Sequence, residues 1–121
     1  MTEQLRLDFC DISIYDNYMI VVMDTGVNLT LDCNAALTDV AWTYFKDTSF
    51  VYITHRINSY SVDPAIYKET SKIKNLMGFC VVSKNFMAKS TAQIEKLFLD
   101  KPFEILDTLP EAITWAQKIL K

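Results

Sequence analysis

Apolar and polar positions along this chain alternate with a period of two in some stretches and recur with a period near 3.6 in others, and the switches between the two predict its elements. Leu5-Arg6-Leu7-Asp8-Phe9 alternates as a half-buried strand does, with Ile12 and Ile14 as its extension. Asp16-Asn17 is a turn signal, and Tyr18 to Met23 reads as a second strand, nearly all apolar and so placed nearer the sheet's centre. A short turn between two strands implies an antiparallel hairpin. Asp24-Thr25-Gly26 closes it. Thr30 is the cap of a first helix, with Asp32 in its first turn. Leu37, Val40, Ala41, Tyr44 and Phe45 then fall on one amphipathic stripe, with Trp42 at its edge.

The stretch from Phe50 to Pro64 organises the rest. Phe50-Val51-Tyr52-Ile53-Thr54 is built of strand formers, and Asp63-Pro64 reads as a helix N-cap followed by its first residue. Between them lies a polar loop at the strand's carboxyl end, which is where open α/β sheets usually place their sites. A weaker helix follows to about Asn75, with Ile66, Thr70 and Ile73 inward. Leu76 to Val82 is almost free of polar residues and predicts a strand buried on both faces. Ser83-Lys84-Asn85 is its exit loop. A helix from Phe86 to Leu99 is expected to bury Met87, Ile94, Leu97 and Phe98, before Asp100-Lys101-Pro102 breaks it. Phe103-Glu104-Ile105-Leu106 is a short strand. Thr108-Leu109-Pro110-Glu111 is a capping box opening a last helix, with Leu109, Ile113, Ala116 and Leu120 on one face and Trp115 and Ile119 beside it. The expected fold is a single α/β domain over residues 1–121, with a mixed, mostly parallel five-stranded sheet and four helices in the order β-β-α-β-α-β-α-β-α. The first strand is its antiparallel exception.

Composition narrows the function. A chain of 121 residues, half of them hydrophobic, is one domain able to fill a core without metal or disulfide staples. The net charge of −3 and the absence of a basic run argue against nucleic acid, and the cluster Lys68, Lys72, Lys74 with Glu69 reads as a solvated helix face. Cys10, Cys33 and Cys80 are odd in number and far apart, so reduced thiols in a cytoplasmic protein are expected, and no zinc site. Met1-Thr2-Glu3-Gln4 has no basic and apolar leader pattern, and no apolar run is long enough for a membrane span.

Candidate chemistry gathers in the central loop. His55 is the only histidine and has the ordinary pKa of a general base, with Asp63 as its orienting acid and Ser59, Ser61 or Ser83 as nucleophile. No G-x-S-x-G elbow supports that arrangement. Arg56 with Asn58 offers donors to a carboxylate or phosphate; the alternative is a pair that fixes the loop. Tyr60 is either a core aromatic or a contact residue. Two glycines in the whole chain exclude Walker and Rossmann phosphate loops, and no cofactor or metal is expected. Cys10 and Cys80 are expected to pack as small hydrophobes, and Cys33, near a helix start, to be partly buried. Seven Phe, six Tyr and two Trp are many for this length, and any surplus on one helix face would mark a partner surface.

The order of elements, with Phe50-Val51-Tyr52-Ile53 leading to Asp63-Pro64, Gly78-Phe79-Cys80-Val81-Val82-Ser83, and the tail from Lys101-Pro102-Phe103 to Glu111-Ala112-Ile113-Thr114-Trp115, resembles the STAS superfamily. These are the anti-sigma-factor antagonists and the cytoplasmic domains of sulfate transporters. The closer likeness is to small stand-alone bacterial STAS-like, or CRAL-TRIO-like, domains. In the antagonists an Asp-Ser pair opens the helix after the third strand, and that serine is phosphorylated. Here Pro64 and Ala65 follow Asp63, so that switch is not carried over. The resemblance is specific for fold rather than activity, and the leading reading is a cytosolic interaction or regulatory module. We expect a non-enzymatic protein that binds a protein partner, or itself, through a helix face and the loop from Arg56 to Asp63. The alternatives are a small apolar ligand or lipid held between sheet and helices, as the CRAL-TRIO likeness implies, and an enzyme using His55.

Overall fold

The computed structural model describes residues 3–121. Its main sheet has six strands among the described residues: β1 (Glu3–Arg6), β2 (Cys10–Ile14), β3 (Tyr18–Met23), β5 (Phe50–His55), β7 (Leu76–Val82) and β8 (Phe103–Leu106), side by side in that order. β2 runs antiparallel to β1 and β3, and the β3–β5, β5–β7 and β7–β8 ladders are parallel. A two-stranded parallel ladder, β4 (Asn28–Leu29) on β6 (Ser61–Val62), sits apart from it. The helices are α1 (Leu31–Phe45), α2 (Ile66–Thr70), α3 (Phe86–Glu95) and α4 (Leu109–Ile119), with a single 3₁₀ turn, Lys96–Phe98, after α3. None is long and apolar enough to cross a membrane.

Each parallel strand steps one place along the sheet in the same direction, so α1, α2 and α3 all pack on one face. That face carries the larger core: Met19, Val21, Phe50, Phe79 and Phe103 against Leu37, Phe45, Tyr67 and Ala92. Tyr52, Phe79 and Phe103 stack across three neighbouring strands, with centroids 4.8 and 5.2 Å apart. Among the described residues α4 is the helix that covers the other face, setting Ala112 and Ala116 on Val51, Ile53, Cys80 and Val82. Alanines there bring the helix close, and Gly78 allows it: a Cβ at that position would lie 2.8 Å from Trp115 Cη2 and 3.3 Å from Ile119 Cδ1. The Thr108–Glu111 capping box starts this helix as expected.

Four expectations are corrected. The first predicted strand is two, because the chain turns at residues 7–9, closed by Leu7 N donating to Cys10 O at 2.9 Å, and returns as β2. The sheet therefore has six strands rather than five, and β2 is the strand that opposes its neighbours. Asp63 does accept from Ala65 N at 3.0 Å, as a cap would, but the residues it opens form a 3₁₀-like turn before α2, which ends at Thr70 rather than near Asn75. Tyr44 lies on the solvent edge of the α1 stripe, not in the core. The largest departure is α3. Its predicted inward residues, Met87, Ile94, Leu97 and Phe98, are exposed, and Ala92 and Glu95 are the buried ones.

Candidate functional site

A charged side chain faces the core on α3 because another charge meets it there. Arg56 follows β5 and extends its ladder by one bond, its N–H donating to Val82 O at 2.8 Å. Its guanidinium turns to the α1–α3 face. Nη1 donates to Glu95 Oε2 at 2.7 Å and Nη2 to Oε1, and each side chain is only 7% exposed. Tyr67, on α2, donates its hydroxyl proton to Glu95 Oε1. Arg56 Nε donates to Tyr60 Oη at 2.9 Å, and Tyr60 Oη shares a hydrogen bond of 3.0 Å with Thr54 Oγ1. The guanidinium carbon also lies 5.3 Å from the Tyr60 ring centroid, within cation–π range. Burial opposes the charge on Arg56, but the hydrogen bonds to Glu95 and its negative charge outweigh it and hold the pKa above its ordinary value. Burial, then the adjacent carboxylate, pushes Tyr67 well up, so its phenol remains a donor. The network thus ties the β5 exit, the following loop, α2 and α3 together, and among the described residues no buried side-chain nitrogen or oxygen lacks a partner.

Next to the network, between sheet and helices, lies a cavity of about 30 Å³ lined by Asn34, Thr54, Tyr67 and Thr70 among others. It has room for about one water molecule. On the solvent side is a groove of about 530 Å³ between residues 56–64 and α3. Ile57, Asn58, Ser59, Tyr60, Ser61, Val62 and Pro64 form one wall; Asn85, Met87, Ala88, Thr91, Ile94 and Phe98 form the other, and Arg56 and Glu95 meet across it. Among the described residues they are the only charged ones that line it, and they neutralise each other. Ile57, Met87, Ile94 and Phe98 are 66%, 69%, 61% and 52% exposed, and Phe86 and Leu97, further out on the same helix and 3₁₀ turn, 78% and 82%.

The predicted loop residues fall into three groups. Arg56, Asn58, Ser59, Tyr60 and Ser61 come together at the groove. Much of their polar capacity is already used: Asn58 Nδ2 donates to Met23 O at 2.9 Å, Ser59 O accepts from Gly26 N at 2.8 Å, and Ser61 N donates to Val27 O at 2.9 Å. The guanidinium expected to take a carboxylate or phosphate has its carboxylate in Glu95. Asp63 and Ser83 hold local structure. Asp63 caps the turn before α2, and the buried Ser83 accepts from Asn85 N through Oγ at 3.0 Å where α3 begins. His55 stands apart. Strand alternation turns it to the α4 face with Val51 and Ile53, and among the described residues its ring makes no hydrogen bond. Burial lowers its pKa, which favours neutral imidazole. Cys80, two residues down the neighbouring strand on that face, is fully buried, with its thiol pushed up to about 12, opposite to the shift of an activated nucleophile.

Sequence reasoning missed Glu95, Tyr67 and Thr54. A signal for Glu95 was present: it is the one acid between Lys84 and Leu99, on a stripe with Ala88, Ala92 and Leu99 at helical spacing. No three His, Cys, Asp or Glu side chains cluster for a metal ion among the described residues. Comparison with protein-family models, curated proteins and solved structures found no match.

Proposed function

We propose that the chain is a non-enzymatic interaction module that docks a polypeptide on α3 and in the groove between α3 and residues 56–64. The carrying observation is the orientation of α3. One salt-bridged glutamate and one alanine face the core, while Phe86, Met87, Ile94, Leu97 and Phe98 face water. Apolar surface costs about 25 cal/mol per Å² to leave hydrated, and an apolar patch rimmed by polar residues is the usual mark of a docking site. The rim here is Asn58, Ser59, Ser61, Asn85 and Thr91. The likeness to STAS domains, whose members act as regulatory binding modules, belongs to the same proposal.

Two further observations favour this reading over its alternatives. A lipid or other apolar ligand needs a pocket of several hundred Å³, and the cavity between sheet and helices has about 30 Å³. Catalysis through His55 needs a nucleophile within hydrogen-bond reach, whereas Ser59 and Ser61 line the groove of the opposite face. The test is a photo-crosslinking residue at Ile94 in the native cell, with Thr114 on the exposed side of α4 as the control position. Polypeptide adducts at Ile94 that vanish when Leu97→Asp is added are expected. Adducts no more abundant than at Thr114 would remove the proposal.

A further inference from the structure

We infer that the polypeptide seated on α3 is a second copy of this chain, paired helix against antiparallel helix about a two-fold axis passing close to Ser90 and Thr91. This rests on the docking reading above and names its partner. The outward side of the helix reads large, small, large: Phe86 and Met87, then Ser90 and Thr91, then Ile94, Leu97 and Phe98. Reversing the direction of such a strip returns nearly the same strip. A two-fold axis at its middle sets Met87 of one copy beside Ile94 of the other, and Phe86 near Leu97 and Phe98. Met87 and Ile94 are seven residues apart within α3, the spacing that keeps a seam facing a second helix, and Leu97 and Phe98 in the following 3₁₀ turn prolong the exposed strip beyond it. The small pair at the centre lets the two backbones approach, as crossing helices require.

Charge points the same way. The strip carries none. Lys89 is turned to Asp107 and Glu95 to Arg56, while Lys96 falls on the far side of the helix at 100° per residue. An acidic peptide or an anionic membrane would find no lysine or arginine there to select it. Two copies of a chain with net charge −3 repel each other, least where their surfaces are neutral. The area also suffices. Covering the five side chains together with Ile57 on the opposite groove wall removes on the order of 700 Å² per copy, close to the roughly 800 Å² per partner of a stable interface.

The test is sedimentation equilibrium on the purified full chain, with Leu97→Asp and Ile94→Asp as variants and far-UV circular dichroism to show that each remains folded. The wild type is expected at twice the chain mass, with self-association weakened on the order of 100-fold in either variant. Ser90→Cys, beside the axis, should form an intermolecular disulfide under mild oxidation, and Thr114→Cys should not. A wild type that stays monomeric to about 500 µM overturns the inference. So does a dimer whose mass neither aspartate changes. Foreign polypeptide adducts at Ile94 in the cell, with a monomeric pure protein, would sink the second copy and leave the docking reading standing. No adducts and no dimer would sink both.

Discussion

Replacing Glu95 by Gln removes the salt-bridge partner of a guanidinium whose side chain is 7% exposed, and keeps the shape of the site. Breaking one side of a buried ion pair typically costs about 3–5 kcal/mol, because the remaining charge stays buried without compensation. Glu95 also accepts the Tyr67 hydroxyl, so the carboxylate serves three donor atoms on two elements. We expect Glu95→Gln and Arg56→Met each to lose about 3 kcal/mol. The double variant Arg56→Met/Glu95→Leu buries no charge and leaves only the Tyr67 hydroxyl without a partner, at about 1 kcal/mol, because Tyr60 keeps its hydrogen bond with Thr54 Oγ1. It should lose about 1–2 kcal/mol, well short of the sum of the singles. Urea unfolding reads this directly: with a slope of about 1.5 kcal/mol per M, each single lowers the midpoint by about 2 M. The wild-type contribution should change little with added salt, since the pair is shielded from solvent. Hydrogen exchange should speed up along α3 in both singles, because Glu95 is one of its few inward anchors. Singles within about 0.5 kcal/mol of wild type, or a double equal to their sum, would refute the view that this pair holds α3 in its orientation.

The other predictions concern sites away from the groove. Gly78→Ala should cost about 2 kcal/mol in urea unfolding, since its Cβ would come 2.8 Å from the Trp115 ring, and Gly78→Ala/Trp115→Leu should cost less than the two single changes together. His55 is held below its ordinary pKa by burial, so the unfolded chain binds its proton first as pH falls. Its stabilising contribution is present above about pH 6.5 and is lost below that through the folded value. His55→Asn should therefore show a shallower loss of urea midpoint than wild type between about pH 7.5 and about pH 5.5, and equal slopes would contradict this. Burial pushes the Cys10 and Cys80 thiols up to about 12 and neither has exposed surface, so a thiol reagent should label one group per native chain, Cys33, and three after unfolding. Fast native labelling of Cys80 would show that the α4 layer opens more easily than its packing implies.

Most elements were legible because their signals are local. Tyr18–Met23, Leu76–Val82 and Phe103–Leu106 appear as strands at the bounds their apolar runs suggest, Phe50–His55 runs one residue past its expected end at Thr54 so that His55 belongs to the strand and not to the loop, and Thr108 to Glu111 cap a helix as their side-chain chemistry dictates. The split of the first strand was not legible: Leu7 and Phe9 continue the alternation through the turn that separates β1 from β2. β4 and β6 are two residues each and form only because the loop at Ser61 meets the segment after Gly26. For the site, the position of the loop from Arg56 to Asp63 beyond the end of β5 was legible, since a strand-to-helix connection fixes its rim, but the groove that Arg56 to Val62 line was not, because its other wall is α3. The facing of α3 was not found. Its periodicity offers two stripes, and the larger side chains made the wrong one look inward. What decides between them is Arg56, thirty-nine positions earlier in the chain, and the partner of a buried acid is not visible in the helix that carries it.

The lone helix on the reverse side of the sheet has a consequence for biogenesis. The strands of the main sheet and the three helices on its front all precede α4 in the chain, so a chain whose front layer has formed still leaves Val51, Ile53, Cys80 and Val82 without their cover until that one helix docks. In the interval the oily wall stands open to any chaperone or second nascent chain nearby. The speed of that single docking step would then govern how much product escapes aggregation.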